Sequence, residues 1–102
     1  MSAARNVQFT VKSGKVDEFK RLMHTEVLPL MKKENGFRQA ITVVDKNTGM
    51  SISVWDDRAS VDNYNTKVYP EVLKTLSPVL DGTPRVDTYD TIFATVPELV
   101  QA

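Results

Sequence analysis

Apolar and polar residues change their period repeatedly along this chain, and each change marks the edge of an element. From Asn6 to Val11 they alternate, with Val7, Phe9 and Val11 on one side and Asn6, Gln8 and Thr10 on the other, as in a half-buried strand. Lys12-Ser13-Gly14 breaks the alternation, and Ser13 is placed to cap a following helix. From Lys15 to about Lys33 the period becomes helical. Val16, Phe19, Met23, Val27 and Leu30 form one stripe, which Leu22 and Met31 widen. Pro29 lacks a backbone donor and crowds the carbonyl four residues back, so a kink or a break and restart is expected at Leu28. Asn35-Gly36 then supplies a left-handed helix end.

Two β-rich runs follow, Gly36 to Asp45 and Met50 to Trp55, joined by Lys46-Asn47-Thr48-Gly49, the sequence form of a hairpin. With those joining residues as the loop, Val43 faces Ile52 and Ile41 faces Val54 on one side of the ribbon. Val44 faces Ser51, Thr42 faces Ser53 and Ala40 faces Trp55 on the other. A slip of a single residue would turn every apolar side chain over. After a polar connection, Ser60 is a candidate cap for a short helix from Val61 to about Thr66, and Pro70 suits the start of a second piece carrying Val72, Leu73 and Leu76 inward. Arg85 to Phe93 reads as a last strand.

The order is β-α-β-β-α-β, an α+β chain of the ferredoxin-like kind, with a four-stranded antiparallel sheet and helices on one face. Its 102 residues make a single domain, with a core from about residue 6 to 93 and a short, loosely held tail after Thr95. The helices are expected over Val7, Phe9, Val11, Ile41, Val43, Ile52 and Val54. The other face then holds Ala40, Val44, Trp55, Tyr89 and Phe93 among small polar residues. Such a mixed, aromatic-bearing surface suits an interface better than water, and a two-fold homodimer is expected to bury it.

Charge and composition narrow the function. Thirteen basic residues balance thirteen acidic ones, which removes the electrostatic footprint of a nucleic-acid or anionic-membrane binder. There is no cysteine, hence no disulfide and no thiolate chemistry. No apolar run is long enough to span a membrane, and Met1 to Asn6 has no apolar leader, so a cytoplasmic location is expected. A metal site is not expected. One histidine and no cysteine leave only carboxylates, and Asp56, Asp57 and Asp62 sit where helix capping accounts for them.

His24 is the one side chain of a type that changes charge near neutrality, and so the one unaided general base. It falls at the edge of the helical apolar stripe, where an ordinary boundary histidine would also fall. Asn6, Trp55, Tyr64, Tyr69 and Tyr89, with the pliable Met23 and Met31, are the groups that can line a cleft for a flat, oxygenated molecule. Each aromatic is equally explained by core or interface packing.

The spacing of Val27-Leu28-Pro29, Gly36-Phe37, Gly49 to Trp55, Leu76-Ser77-Pro78, Gly82 and Tyr89 resembles the antibiotic-biosynthesis-monooxygenase domain family of the dimeric α/β-barrel superfamily, over about Asn6 to Phe93. The resemblance implies a homodimer whose two sheets form a barrel, with a ligand cleft between sheet and helices in each subunit. It also implies, for some members, oxidation of polycyclic aromatics without a cofactor, and none is expected here. In such a reaction the ionised substrate gives the electron to oxygen, with His24 as base and Asn6, Tyr64 or Trp55 as donors to the anion. The haem-degrading branch needs a Trp and a His nine and nineteen residues beyond the strand-ending Trp. Those positions are Tyr64 and Lys74, so haem is not expected as a ligand although Asn6 is suitably placed. The alternative is a non-catalytic ligand-binding or dimerisation module of the same superfamily.

Overall fold

A computed structural model describes residues 1–96. The elements in order are β1 (Ala3–Thr10), α1 (Val16–Leu22), a π-helical turn (Met23–Val27), α2 (Leu28–Lys32), β2 (Phe37–Asp45), β3 (Thr48–Trp55), α3 (Arg58–Lys67), α4 (Tyr69–Leu76) and β4 (Arg85–Asp90). The strands form one antiparallel sheet in the order β2-β3-β1-β4, with the helices across one face, which is the ferredoxin-like α+β arrangement.

The proline-interrupted helix neither breaks nor merely kinks. The Leu28 amide donates to the Met23 carbonyl five residues back, so the chain takes one wide π turn before Pro29 opens α2. Pro29 has no amide to give the Thr25 carbonyl, and the wider turn is how the helix continues past that missing bond. At its far end Gly36 takes a left-handed φ of 88° and sits so tightly against Ser60 that a Cβ there would lie 2.3 Å from the Ser60 Oγ. Only glycine fits that approach. The caps differ from expectation. Asp57, not Ser60, caps α3, its Oδ1 accepting from the Ser60 amide and hydroxyl at 2.8 Å each. Ser13 does not cap α1, which has no side-chain cap.

The hairpin turn is shorter than the sequence suggests. Asp45 pairs with Thr48 across Lys46-Asn47, and Lys46 takes a φ of 57°. The strands are offset by two residues from the expected register, so Val43 faces Met50 and Ile41 faces Ile52. An even offset leaves the faces unchanged. The turn is anchored to β1, for the Val11 amide donates to the Asn47 carbonyl at 2.6 Å.

Which face the helices cover is the main correction. Val7, Phe9 and Val11 do face them, and Phe9 packs on Phe19 with ring centroids 4.8 Å apart. Ala3, Val7 and Phe9 pair with Trp55, Ser51 and Gly49, so it is Trp55, Ser53, Ser51 and Gly49 of β3 that share the covered side. Through β3, Phe37, Ala40, Thr42 and Val44 of β2 lie on that side too. Ile41, Val43, Ile52 and Val54 therefore point away from the helices. Steric room is part of the reason: a Cβ at Gly49 would come within 2.7 Å of the Phe9 ring, so only glycine lets the β1 aromatic lie across β3 on the covered side. Of the expected dimer face, Ala40, Val44 and Trp55 are on the helix side and only Tyr89 remains. Phe93 lies exposed beyond β4, which ends at Asp90. In their place the open face presents Ile41, Val43, Met50 and Ile52, with Ile41 57% and Val43 47% exposed.

Trp55 is wholly buried at the centre of the core, its ring centroid 5.1 Å from Tyr64 and 5.4 Å from Phe37. Val61, Val72, Leu76, Val79 and Leu80 close the core around it. The Thr91 amide donates to the Ser2 carbonyl at 3.0 Å, tying the end of the described chain to the start of β1. The tail expected after Thr95 falls, from residue 97 onward, outside the described residues.

Candidate functional site: an inner pocket and an outer groove

Arg5 occupies a position in β1 that the alternation reserves for apolar residues, between Ala3 and Val7, and its side chain is carried under the helices with only 3% of the residue exposed. Its guanidinium is sandwiched with the α3–α4 aromatics, 4.9 Å from the Tyr64 ring centroid and 4.3 Å from that of Tyr69. Each such cation–π contact is worth about 1–2 kcal/mol when desolvated. Nε donates to the Asn65 Oδ1 at 2.7 Å. Nη2 is buried with no partner, and so is the Tyr69 hydroxyl. That hydroxyl is near enough to favour the charged form of Arg5, yet the two atoms complete no hydrogen bond of normal geometry. Among the described residues no carboxylate comes within ion-pair distance of Arg5.

Burial shapes the electrostatics here. It draws the Arg5 guanidinium below its ordinary pKa, against the opposing pull of Tyr64 and Tyr69. It pushes the Tyr64 phenol up to about 12 and raises Tyr69 as well, with the Arg5 charge working in the other direction on both. The two tyrosines are thus neutral donors beside a cation.

These groups line an inner pocket together with Val7, Ser51, Val27 and Leu76. Its volume is about 40 Å³, room for one or two waters but not for a ring system. Beside it, between the first helical segment and the edge strand β2, lies an outer groove of about 350 Å³, large enough for a small organic molecule. His24, Lys20 and Leu28 form its helical wall, and Ala40, Thr42 and Val44 its strand wall. Phe19, Met23 and Met31 line both spaces. The partition between groove and pocket is therefore made of one ring and two unbranched thioether chains, the most adaptable of apolar side chains. The π turn is what sets Met23 and His24 along this wall.

A larger concavity, about 670 Å³, lies at the hairpin end of the sheet among Gln8, Thr10, Asp45, Met50 and Arg85. It is an open hollow without buried donors, and the chemistry gathers in the inner pocket instead. Among the described residues no group of three or more His, Asp or Glu could hold a metal ion.

The residues singled out in the sequence are distributed unevenly. Met23 and Met31 form the partition, Tyr64 and Tyr69 line the inner pocket, and His24 stands exposed at the outer groove. Trp55 lines neither space, and its indole N–H is already donated to the Ser53 Oγ at 2.9 Å. Asn6 pairs with Ile52 and lies on the open face, whereas Trp55, expected on the face away from the helices, lies on the covered one. Its Oδ1 is buried there without a partner. Tyr89 is also on the open face, 53% exposed. Sequence reasoning missed Arg5, Asn65 and Ser51. Arg5 was detectable in principle, as a charge in phase with Ala3, Val7 and Phe9.

The fold and this cleft place the chain in a class, the ferredoxin-like α+β proteins that hold a pocket between sheet and helices. A family model, "Antibiotic biosynthesis monooxygenase", matches residues 3–69, more than half of the chain. The chain belongs to that family. Among solved structures it resembles a protein of unknown function from Nitrosomonas europaea, NE2512, with a TM-score of 0.82 at 17% identity, covering 94% of each chain. It resembles SnoaB from Streptomyces nogalater, described as a cofactor-independent oxygenase, with a TM-score of 0.76 at 17% identity over 94% of this chain and 97% of that one. A Streptomyces coelicolor monooxygenase from the gene ActVA-Orf6, crystallised with nanaomycin D, gives a TM-score of 0.75 at 19% identity, covering 94% of this chain and 92% of that one. At these identities the likeness concerns the fold. No curated protein matches. No helix among the described residues is long and apolar enough to cross a membrane.

Proposed function

We propose that this protein binds a flat aromatic or quinone-type metabolite in the cleft between sheet and helices and oxidises it without a cofactor. The observation that carries this reading is the joined pair of spaces: a groove of ligand size, separated by methionines from a pocket where tyrosine and arginine donors converge. Family membership and the cofactor-independent oxygenase among the structural neighbours support it. The chemistry balances without a bound group, since an anthrone methylene and O₂ yield a quinone carbonyl and water. The ionised substrate supplies the first electron. His24, at the groove, is the base that takes the proton, and Tyr64 with Tyr69 donates toward the oxyanion.

The test is oxygen uptake with an anthrone as substrate. His24→Ala is expected to slow turnover by about 100-fold, the usual contribution of a general base. Undiminished uptake in this variant would remove His24 from the mechanism. A second reading, a ligand-binding or dimerisation module without turnover, is favoured by the small volume of the inner pocket. Tight binding of an anthrone with no oxygen uptake by the wild-type protein would establish it.

The homodimer belongs to the same proposal. The open sheet face carries Ile41, Val43, Met50, Ile52 and Tyr89, an exposed apolar patch of the kind that marks an interface. A two-fold partner would cover it and surround the buried, unpartnered Asn6 Oδ1. A monomeric mass by light scattering at micromolar concentration would dispose of the dimer.

A further inference from the structure

We propose that the inner pocket is an anion subsite, and that Arg5 makes this protein select ligands bearing an acidic oxygen, an ionised hydroxyl or carboxylate, over neutral ligands of the same shape. The inference rests on the cleft being the ligand site, and it adds what part of the ligand goes where. A buried charge without a counter-ion costs several kcal/mol unless something compensates it, and proteins seldom keep one idle. Arg5 is compensated only in part, by one hydrogen bond to Asn65 and the faces of two tyrosines. Its Nη2 and the Tyr69 hydroxyl are both buried at the wall of the same pocket, near enough that the hydroxyl favours the charged guanidinium, and neither completes a hydrogen bond of normal geometry. A guanidinium and a neighbouring phenol at one wall of a space free of carboxylates form a donor site for one accepting oxyanion.

Apart from Tyr64, the remaining lining is apolar except for Ser51, whose hydroxyl is paired with the Thr42 Oγ1 at 2.8 Å. A ligand whose body lies in the outer groove can reach this point only past Met23 and Met31, which line both spaces. The acidic oxygen therefore leads and the ring system follows. Once seated, the oxygen is held as its anion by Arg5, which also lowers the energy of the ionised form that oxygen attacks. The proton leaves to His24 or to water at the groove.

The experiment compares two quinones of nearly equal shape by calorimetric titration at neutral pH: 2-hydroxy-1,4-naphthoquinone, a vinylogous acid that is ionised there, and its neutral 2-methoxy ether. The wild type is expected to bind the hydroxyquinone at least about tenfold more tightly, the effect of one charge-assisted hydrogen bond. Arg5→Met is expected to erase that preference, and Tyr69→Phe to reduce it by about threefold. Equal affinity of the wild type for both quinones, or an undiminished preference in Arg5→Met, overturns the anion subsite and leaves the aromatic cleft standing. A separate arm uses sodium nitrate, a planar anion that needs no aromatic wall, and follows melting temperature at constant ionic strength. If neither quinone binds but nitrate stabilises the wild type and not Arg5→Met, the anion subsite stands and the aromatic reading fails. If neither quinone binds and nitrate acts alike on both proteins, the subsite is refuted. Each variant is first checked by circular dichroism, and Arg5→Gln replaces Arg5→Met if the latter does not fold.

Discussion

The two faces of the sheet invert the usual expectation. The face hidden under the helices carries Arg5, Ser51, Ser53 and Thr42 beside Trp55 and Phe9, while the bare face carries Ile41, Val43, Met50 and Ile52. On the hidden side small residues leave room for Phe19, Tyr64 and Tyr69 to approach, and what polarity remains is directed inward. Ser53 accepts from the Trp55 indole, and Arg5 donates to Asn65 and packs against Tyr64 and Tyr69. On the bare side branched chains stand on a flat surface with nothing of their own chain above them. Polar groups that are buried and apolar groups that are exposed are the informative cases. In the function proposed above, the first marks a ligand pocket and the second an interface.

Four experiments can break or sharpen this contrast. The largest effect is expected from Trp55→Ala, which empties the centre of the covered face and strands the Ser53 hydroxyl. A loss of about 3–5 kcal/mol in urea unfolding is expected. A loss below about 1 kcal/mol would mean that the covered face is not what holds the fold.

Next comes the bare face. Ile41→Lys together with Ile52→Lys places like charges on both halves of a two-fold interface and is expected to raise the dimer dissociation constant at least about 100-fold, or about 3 kcal/mol. Protomer stability should fall by no more than about 1–2 kcal/mol in total, since both sites are solvated in the isolated chain but the two lysines face each other directly across β2 and β3. Light scattering across a dilution series reads the first quantity and circular dichroism the second. An unchanged mass in the variant would show that the contact lies elsewhere.

The third concerns pH. Burial raises the Tyr64 phenol from its ordinary 10.0 to about 12 in the folded protein. Between those values the unfolded chain has lost a proton that the native state retains, so stability falls as pH rises. The contribution is fully present below pH 10 and gone above about pH 12, amounting to about 2–3 kcal/mol. Urea midpoints measured across this window should decline in the wild type and flatten in Tyr64→Phe. Equal slopes would place the tyrosine in water.

The smallest effect is expected from Asn6→Ala. Asn6 is a neighbour of the pocket in sequence but lies on the opposite face, so oxygen uptake with an anthrone should change by less than about twofold. A drop comparable to that of His24→Ala would mean that the bare face takes part in the chemistry. Together with the oxygen-uptake test, this separates the candidate residues by face.

Much of the fold was legible along the chain because it depends on neighbours in sequence. The alternation in β1, the helical stripe from Val16 to Met31, the helix end at Gly36 and the hairpin after it are local patterns, and each reappears in space. The two-residue turn escaped notice because Gly49 looks like a loop glycine, whereas its role is to lie under the Phe9 ring. The candidate site was legible only in part. Tyr64, Tyr69, Met23 and Met31 could be named as types suited to a cleft, but strand parity says which residues share a side and not which side meets the helices. Nor does it fix how β1 registers against the hairpin, which is why the expected open face holds Asn6 and Trp55 together while the structure separates them.

By itself the sequence determined the order of elements, the antiparallel hairpin and the family to which the chain belongs, because period and turn chemistry act over a few residues. Tertiary structure alone decided which surface of the sheet is roofed, for that depends on how closely helices and strands from distant segments can pack. It also decided that Arg5 and Tyr69, far apart along the chain, would meet at the wall of one buried pocket.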